Sequence, residues 1–170
     1  MKFTIQTGKT NDILRTKSEA VTPAELRKYT RLADDMVKYI KDPDNGGVGL
    51  AAPQIGVNKR IISVSLLRDA DDENYRTIAM INPEITEHTD EVECDNEGCL
   101  SIPGEHGDVD RWKRIKVSYI DTSLRPQSIL LSGLAARIVQ HEVDHLDGVL
   151  FTDRVKKEEN ILIQTENNTL

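Results

Sequence analysis

The sequence predicts an α+β fold: mostly antiparallel strands around one buried helix, with a second, amphipathic helix packed outside. Three observations carry this. Over residues 132–148, Leu134, Ile138, His141 and His145 fall on one helical stripe, with Ala135, Val139 and Leu146 beside it. Only Arg137, Gln140 and Asp144 interrupt this apolar character, as a polar edge. Over residues 23–41, Leu26, Tyr29, Ala33, Met36, Val37 and Ile40 recur at helical spacing. Residues 60–67 and 77–82 are runs rich in β-branched and apolar side chains, as strands require.

The 170 residues, 38% hydrophobic and 30% charged, suit one catalytic domain over residues 1–170, with a polar, loose tail from about residue 165. Residues 1–21 read as a lead-in segment anchored by Ile13 and Leu14. Thr22-Pro23-Ala24-Glu25 then has the form of a capping box with proline at the first helical position, and residues 42–47 stop the helix. The acidic stretch 69–74 is expected to be a solvated connector. A further strand is expected within residues 83–93, two more at 115–120 and 128–131 with a turn over 122–127, and a short edge strand at 161–163. Ser132 is a candidate N-cap for the apolar helix, and Gly148 suits the left-handed residue that ends it.

The net charge of −7 excludes general affinity for nucleic-acid backbone or anionic lipid, so neither DNA nor a membrane is expected as a partner. Met1 to Gln6 contain no apolar signal core. Cys94 and Cys99 lie five apart, a poor basis for a disulfide framework, which points to a cytoplasmic protein with reduced thiols, expected as a monomer.

The chemistry concentrates in Gln140-His141-Glu142-Val143-Asp144-His145. Histidines four apart stack both imidazoles on one helical face, where a divalent ion can be gripped by both, and Glu142 is placed to reach an ion-bound water. Such a string on a solvated helix would mean little. Here the helix is apolar, and burying two histidines and a glutamate without a partner is costly. A catalytic site usually adds a third protein ligand. The elongated zinc-protease pattern needs histidine at position 151, which is phenylalanine. Downstream glutamates (Glu158, Glu159, Glu166) would make a zinc endopeptidase, whereas Cys99 would supply a thiolate. Cys94 is its rival from an apparent polar loop, and both cysteines together would close an inert structural metal domain.

Three segments together resemble the peptide deformylases: Gly47-Val48-Gly49-Leu50-Ala51-Ala52-Pro53-Gln54, Glu97-Gly98-Cys99-Leu100-Ser101 and the His141–His145 helix. The acidic insertion and short polar C-terminus resemble the subtype common in Gram-positive bacteria. The resemblance implies a hydrolase that removes the N-formyl group from the initiator methionine of nascent polypeptides at the ribosome, releasing formate. Cys99, His141 and His145 would hold Fe2+, with Zn2+, Ni2+ or Co2+ able to substitute, although ligand softness alone favours zinc. Ion-activated hydroxide would attack the formyl carbonyl, Glu142 would act as general base and then acid, and Gln54 with the Leu100 N–H would stabilise the oxyanion. The peptide would lie extended against Val48-Gly49 and Glu97-Gly98, with its methionine among Val48, Leu134 and Ile138. Arg111 falls where the family often carries an arginine near substrate, and a surface charge beside Trp112 is its other reading.

Overall fold

Strand β2 (Ile61–Leu66) is buried almost throughout because both faces of its sheet are covered. Alternate residues face opposite ways, so Ile62, Val64 and Met80 join one apolar cluster while Ile61, Ala79 and Ile81 join another. The computed structural model describes residues 2–155. The chain runs α1 (Asp12–Arg15), α2 (Leu26–Lys41), β1 (Gly49–Ala51), β2, β3 (Arg76–His88), β4 (Val92–Cys99), β5 (Ile102–Trp112), β6 (Arg114–Ile120), β7 (Pro126–Ser132), α3 (Gly133–Leu146) and α4 (Phe151–Arg154). Among the described residues, an antiparallel five-stranded sheet has the order β1-β2-β3-β6-β7, and β4 and β5 form a separate antiparallel hairpin.

Helix α3 lies on one face of the five-stranded sheet, its Ala135, Ile138, Val139, Val143 and Leu146 packed on Ile62, Met80, Ile115 and Val117. Helix α2 covers the other face through Ala33, Met36, Tyr39 and Ile40. The expected α+β arrangement is therefore present, with the histidine helix inside. Among the described residues no helix is long and apolar enough to cross a membrane.

Several elements differ from expectation for local reasons. Helix α2 starts at Leu26 rather than at residue 23. The Glu25 carboxylate accepts from the Thr22 N–H at 3.0 Å and the Thr22 hydroxyl at 2.9 Å, which folds Thr22–Glu25 into a turn ahead of the helix. The strands expected at 77–82 and after Pro83 are one strand, β3, carrying an irregularity. At that point Asn82 has φ 52°, and its side-chain amide bonds both the N–H and the C=O of Val21 at 2.8 Å. Asp72 is buried rather than solvated, held by Arg68 at 2.9 Å. Ser132 occupies the N-cap of α3 without a side-chain capping bond. The edge strand at 161–163 and the tail from 165 lie outside the described residues.

The two ends of the described chain meet beneath the hairpin. Leu14, Ile102, Val109, Leu150 and Phe151 form one buried cluster. The Ser18 N–H donates to the Leu146 carbonyl at 2.8 Å, and Arg15 pairs with Asp153. Gly148 has φ 72°, and a Cβ there would sit 2.5 Å from the Arg15 carbonyl oxygen. Only glycine lets the chain turn that tightly against its neighbour.

Candidate metal centre and active site

Helix α3 brings His141 and His145 onto the face that meets the hairpin, with ring centroids 5.1 Å apart. Cys99, at the end of β4, completes the set: Cys99 Sγ lies 3.2 Å from His145 Nε2, and one ligand atom from each of the three residues lies within 4.8 Å of the others. The Cys99 sulfur also accepts from the Ser101 N–H at 3.4 Å. His141 Nδ1 contacts Glu97 Oε2 at 2.9 Å, which leaves its Nε2 for the cluster, an orientation that carboxylates commonly impose on metal-binding histidines. One thiol and two imidazoles fit a divalent transition ion with a remaining open position. Two buried polar atoms without partners among the described residues, Glu142 Oε2 and His145 Nδ1, belong to this same group. Cys94 stands apart, exposed on β4 opposite Asp110. The downstream Glu158, Glu159 and Glu166 lie outside the described residues.

Glu142 is 4% exposed. Burial, which disfavours its charged form, pushes its pKa up to about 7 despite the neighbouring His141. Its place depends on a missing side chain, because a Cβ on Gly49 would overlap the Glu142 carboxylate. For His141, burial works against a proton, but hydrogen bonds with Cys99 and Glu97 outweigh it and raise the pKa to about 10. A cation at its Nε2 competes with that proton. Burial pushes His145 the other way, well below the usual histidine range.

Gln54, 2% exposed, has an assignable amide orientation. Its Oε1 accepts from the Ala51 N–H at 2.7 Å, so Nε2 faces Ser101 Oγ at 3.2 Å and Cys99 Sγ at 3.6 Å. Beside this group opens a cavity of about 450 Å³, lined in part by Val48, Gly49, Gln54, Leu100, Leu134 and Ile138, with Glu97 and Gly98 along one wall.

Arg111 does not line that cavity. It is 5% exposed and ion-paired to Glu97 through Nε and Nη2, both at 2.9 Å, and to Asp144 through Nη1 at 2.5 Å. The surface reading made from sequence is corrected by this burial. Asp144 in turn holds Arg154 at 2.6 and 2.7 Å. Burial alone would raise the Glu97 pKa, yet hydrogen bonds from Arg111 and His141 overcome it and hold the carboxyl far below the usual range. The polar edge of α3 is likewise buried: Arg137, Gln140 and Asp144 are each 7% exposed or less. Sequence reasoning missed Ser101 and the Glu97 carboxylate as supports for Gln54 and His141. The only available signal was that both flank Cys99.

A family model described as polypeptide deformylase matches residues 4–160. Peptide deformylase of a Picosynechococcus species is 45% identical over 148 residues, spanning 86% of this chain and 75% of that protein. Peptide deformylase 2 of Gloeobacter violaceus is 46% identical over 136 residues, spanning 79% and 68%. A Met-Ala-Ser bound class I type b peptide deformylase from Acinetobacter baumannii superposes with TM-score 0.81 at 36% identity, covering 91% of this chain and 99% of that one. The Synechococcus elongatus enzyme in complex with actinonin gives 0.76 at 39% identity, covering 92% and 82%. The Gram-positive subtype is not supported, because the relatives are cyanobacterial and this solved neighbour is class I type b. With the match running through hairpin, sheet and histidine helix alike, the chain belongs to the polypeptide deformylase family.

Proposed function

We propose that the protein hydrolyses the N-formyl group of formyl-methionyl peptides, with Cys99, His141 and His145 holding the ion and Glu142 moving the proton. The observation that carries this reading is the convergence of a thiol, two imidazoles and a buried carboxylate, of which Cys99, His141 and Glu142 line one cavity. When bound, the ion supplies a Lewis acid that lowers the pKa of water from about 15.7 toward about 7. Glu142 takes a proton from the attacking water and returns it to the departing amine, roles that its buried place beside His141 suits. The Gln54 Nε2 and the Leu100 N–H donate to the developing oxyanion. Gln54 is pre-aimed by its bonds to Ala51 and Ser101, so little reorganisation accompanies the reaction.

The peptide lies along Val48-Gly49 and Glu97-Gly98 through backbone hydrogen bonds, with its methionine among Val48, Leu134 and Ile138. Close packing by Gly49, Gln54 and Leu100 admits a formyl hydrogen where an acetyl methyl would clash. The ion is ferrous iron, with zinc, nickel or cobalt able to occupy the same thiol and imidazole set. Residues 1–170 act as one catalytic domain, a monomer working in the cytoplasm on nascent chains at the ribosome. The test is formate release from formyl-Met-Ala-Ser by protein loaded anaerobically with iron, nickel or cobalt. Absence of formate with all three overturns the reading.

A further inference from the structure

Arg137 has no part in the reading above, and its surroundings are unusual for a helix arginine. It is 7% exposed, and its guanidinium donates to four acceptors on the β4–β5 hairpin. Nη1 reaches Glu97 Oε1 at 2.8 Å, the Val109 carbonyl at 2.9 Å and, more weakly, the Asp95 carbonyl at 3.5 Å. Nη2 reaches the Glu93 carbonyl at 2.6 Å. Three of these acceptors lie on β4 and one on β5, while the arginine itself stands one helical turn before His141.

Other polar ties join the hairpin to α3, from Arg111 to Asp144, from the Gln140 amide to the Trp112 backbone and from Glu97 to His141, but Arg137 reaches the backbone of both strands. The two strands pair with each other and are absent from the five-stranded sheet. Most of β4 is exposed, so burial of apolar area contributes little to seating it. Yet β4 carries both Cys99 and Glu97, the carboxylate that orients His141. Any drift of β4 along α3 would separate the sulfur from the imidazoles and the carboxylate from His141 Nδ1 together. Arg137 also lines the cavity, while its two terminal nitrogens are engaged by the hairpin.

We propose that Arg137 is a positioning residue for the metal centre: its guanidinium clamps the β4–β5 hairpin to α3 and thereby fixes Glu97 against His141. This rests on the assignment of Cys99, His141 and His145 as ligands. A planar fork with several donors suits the role, because it can satisfy a carboxylate and strand carbonyls at once. A lysine offers one ammonium and cannot span acceptors on both strands.

The test measures zinc affinity of the full chain by competition of the loaded protein with a chelating dye. The cobalt-loaded form reports ligand geometry through its thiolate-to-cobalt absorption. Arg137→Met keeps the apolar stem and loses the clamp, so its affinity should fall roughly 10–100-fold, as for loss of other supports around a ligand, with an altered cobalt spectrum. Arg137→Gly should recover much of its affinity in millimolar guanidinium, a rescue that a general packing defect would not show. A folded Arg137→Met protein with wild-type affinity and spectrum overturns the proposal. If Arg137→Met does not fold, Arg137→Lys replaces it, and unchanged affinity there overturns the proposal equally. Cys99→Ala separates the two levels. Retention of tight zinc by that variant refutes the ligand assignment itself, whereas its loss beside an unaffected Arg137 variant refutes only the clamp.

Discussion

Glu97→Gln is the sharpest perturbation of the buried charges behind the metal centre. One side of the Glu97 carboxylate accepts from Arg111 Nε and Arg137 Nη1, and the other accepts from Arg111 Nη2 and lies against His141 Nδ1. Glutamine keeps the shape but offers oxygen on one side only. Whichever way the amide turns, its NH2 faces two nitrogens, at least one of which is a guanidinium donor. The change also removes a negative charge at a site 6% exposed, leaving Arg137 without its ion-pair partner and Arg111 with Asp144 alone. Breaking a buried pair from one side costs about 3–5 kcal/mol. In a protein of this size each kcal/mol moves the melting temperature by roughly 2–4 °C, so a drop of about 6–20 °C is expected. Zinc affinity should fall roughly 10–100-fold as His141 loses its orienting carboxylate. Thermal melts and dye competition measure both. A variant melting within about 2 °C of wild type with full affinity would refute the reasoning, for it would mean that these charges are solvated or replaceable.

Glu142→Ala should keep its metal and its fold while turnover drops about 100–10,000-fold, read by formate release against metal content. Because Glu142 Oε2 is buried without a partner among the described residues, the same variant should melt at or above the wild-type temperature. Cys94→Ser should leave metal content and activity unchanged, as its side chain is exposed and outside the cluster; loss of the ion on that substitution would revive a closed structural site. Acid should destabilise the fold through Glu97. Its folded-state pKa is depressed, so its contribution is complete above the ordinary carboxyl value of about 4.3 and is lost progressively as pH falls below it. Equilibrium unfolding of wild type and Glu97→Gln from pH 7 to pH 3 checks this: the gap between them should narrow toward the acid end, and a constant gap would contradict it.

The parts of the fold read most readily from sequence were those with a marked apolar pattern. Helix α2 and strands β6 and β7 show apolar spacing because each turns one face to the core, whereas β2 and α3 carry longer apolar stretches because they are covered on nearly all sides. The β4–β5 hairpin was missed because β4 is exposed on nearly every residue, so no alternation marks it, and Cys94 looked like part of a loop. The ligand trio could be approached through spacing and motif resemblance, since helical geometry fixes the two histidines relative to each other. Its support could not. Glu97, Arg111, Arg137, Asp144 and Arg154 are spread over 58 positions, from 97 to 154 inclusive, and in sequence each is an ordinary charged residue. Only the tertiary arrangement shows that the first four neutralise one another out of water, with Arg154 closing the chain of charges from the surface.

The shared seat of Leu14 with Leu150 and Phe151 bears on how the protein is made. During synthesis Leu14 emerges long before the side chains it is buried with, Ile102 and Val109 lying 88 and 95 residues later and Leu150 and Phe151 more than 130. The same is true of the ion: Cys99 is translated well before His141 and His145, so a partly made chain has one ligand and no grip. Competence to hold the ion thus waits on α3, which brings two of the three clustered side chains and is made after every strand of the described residues.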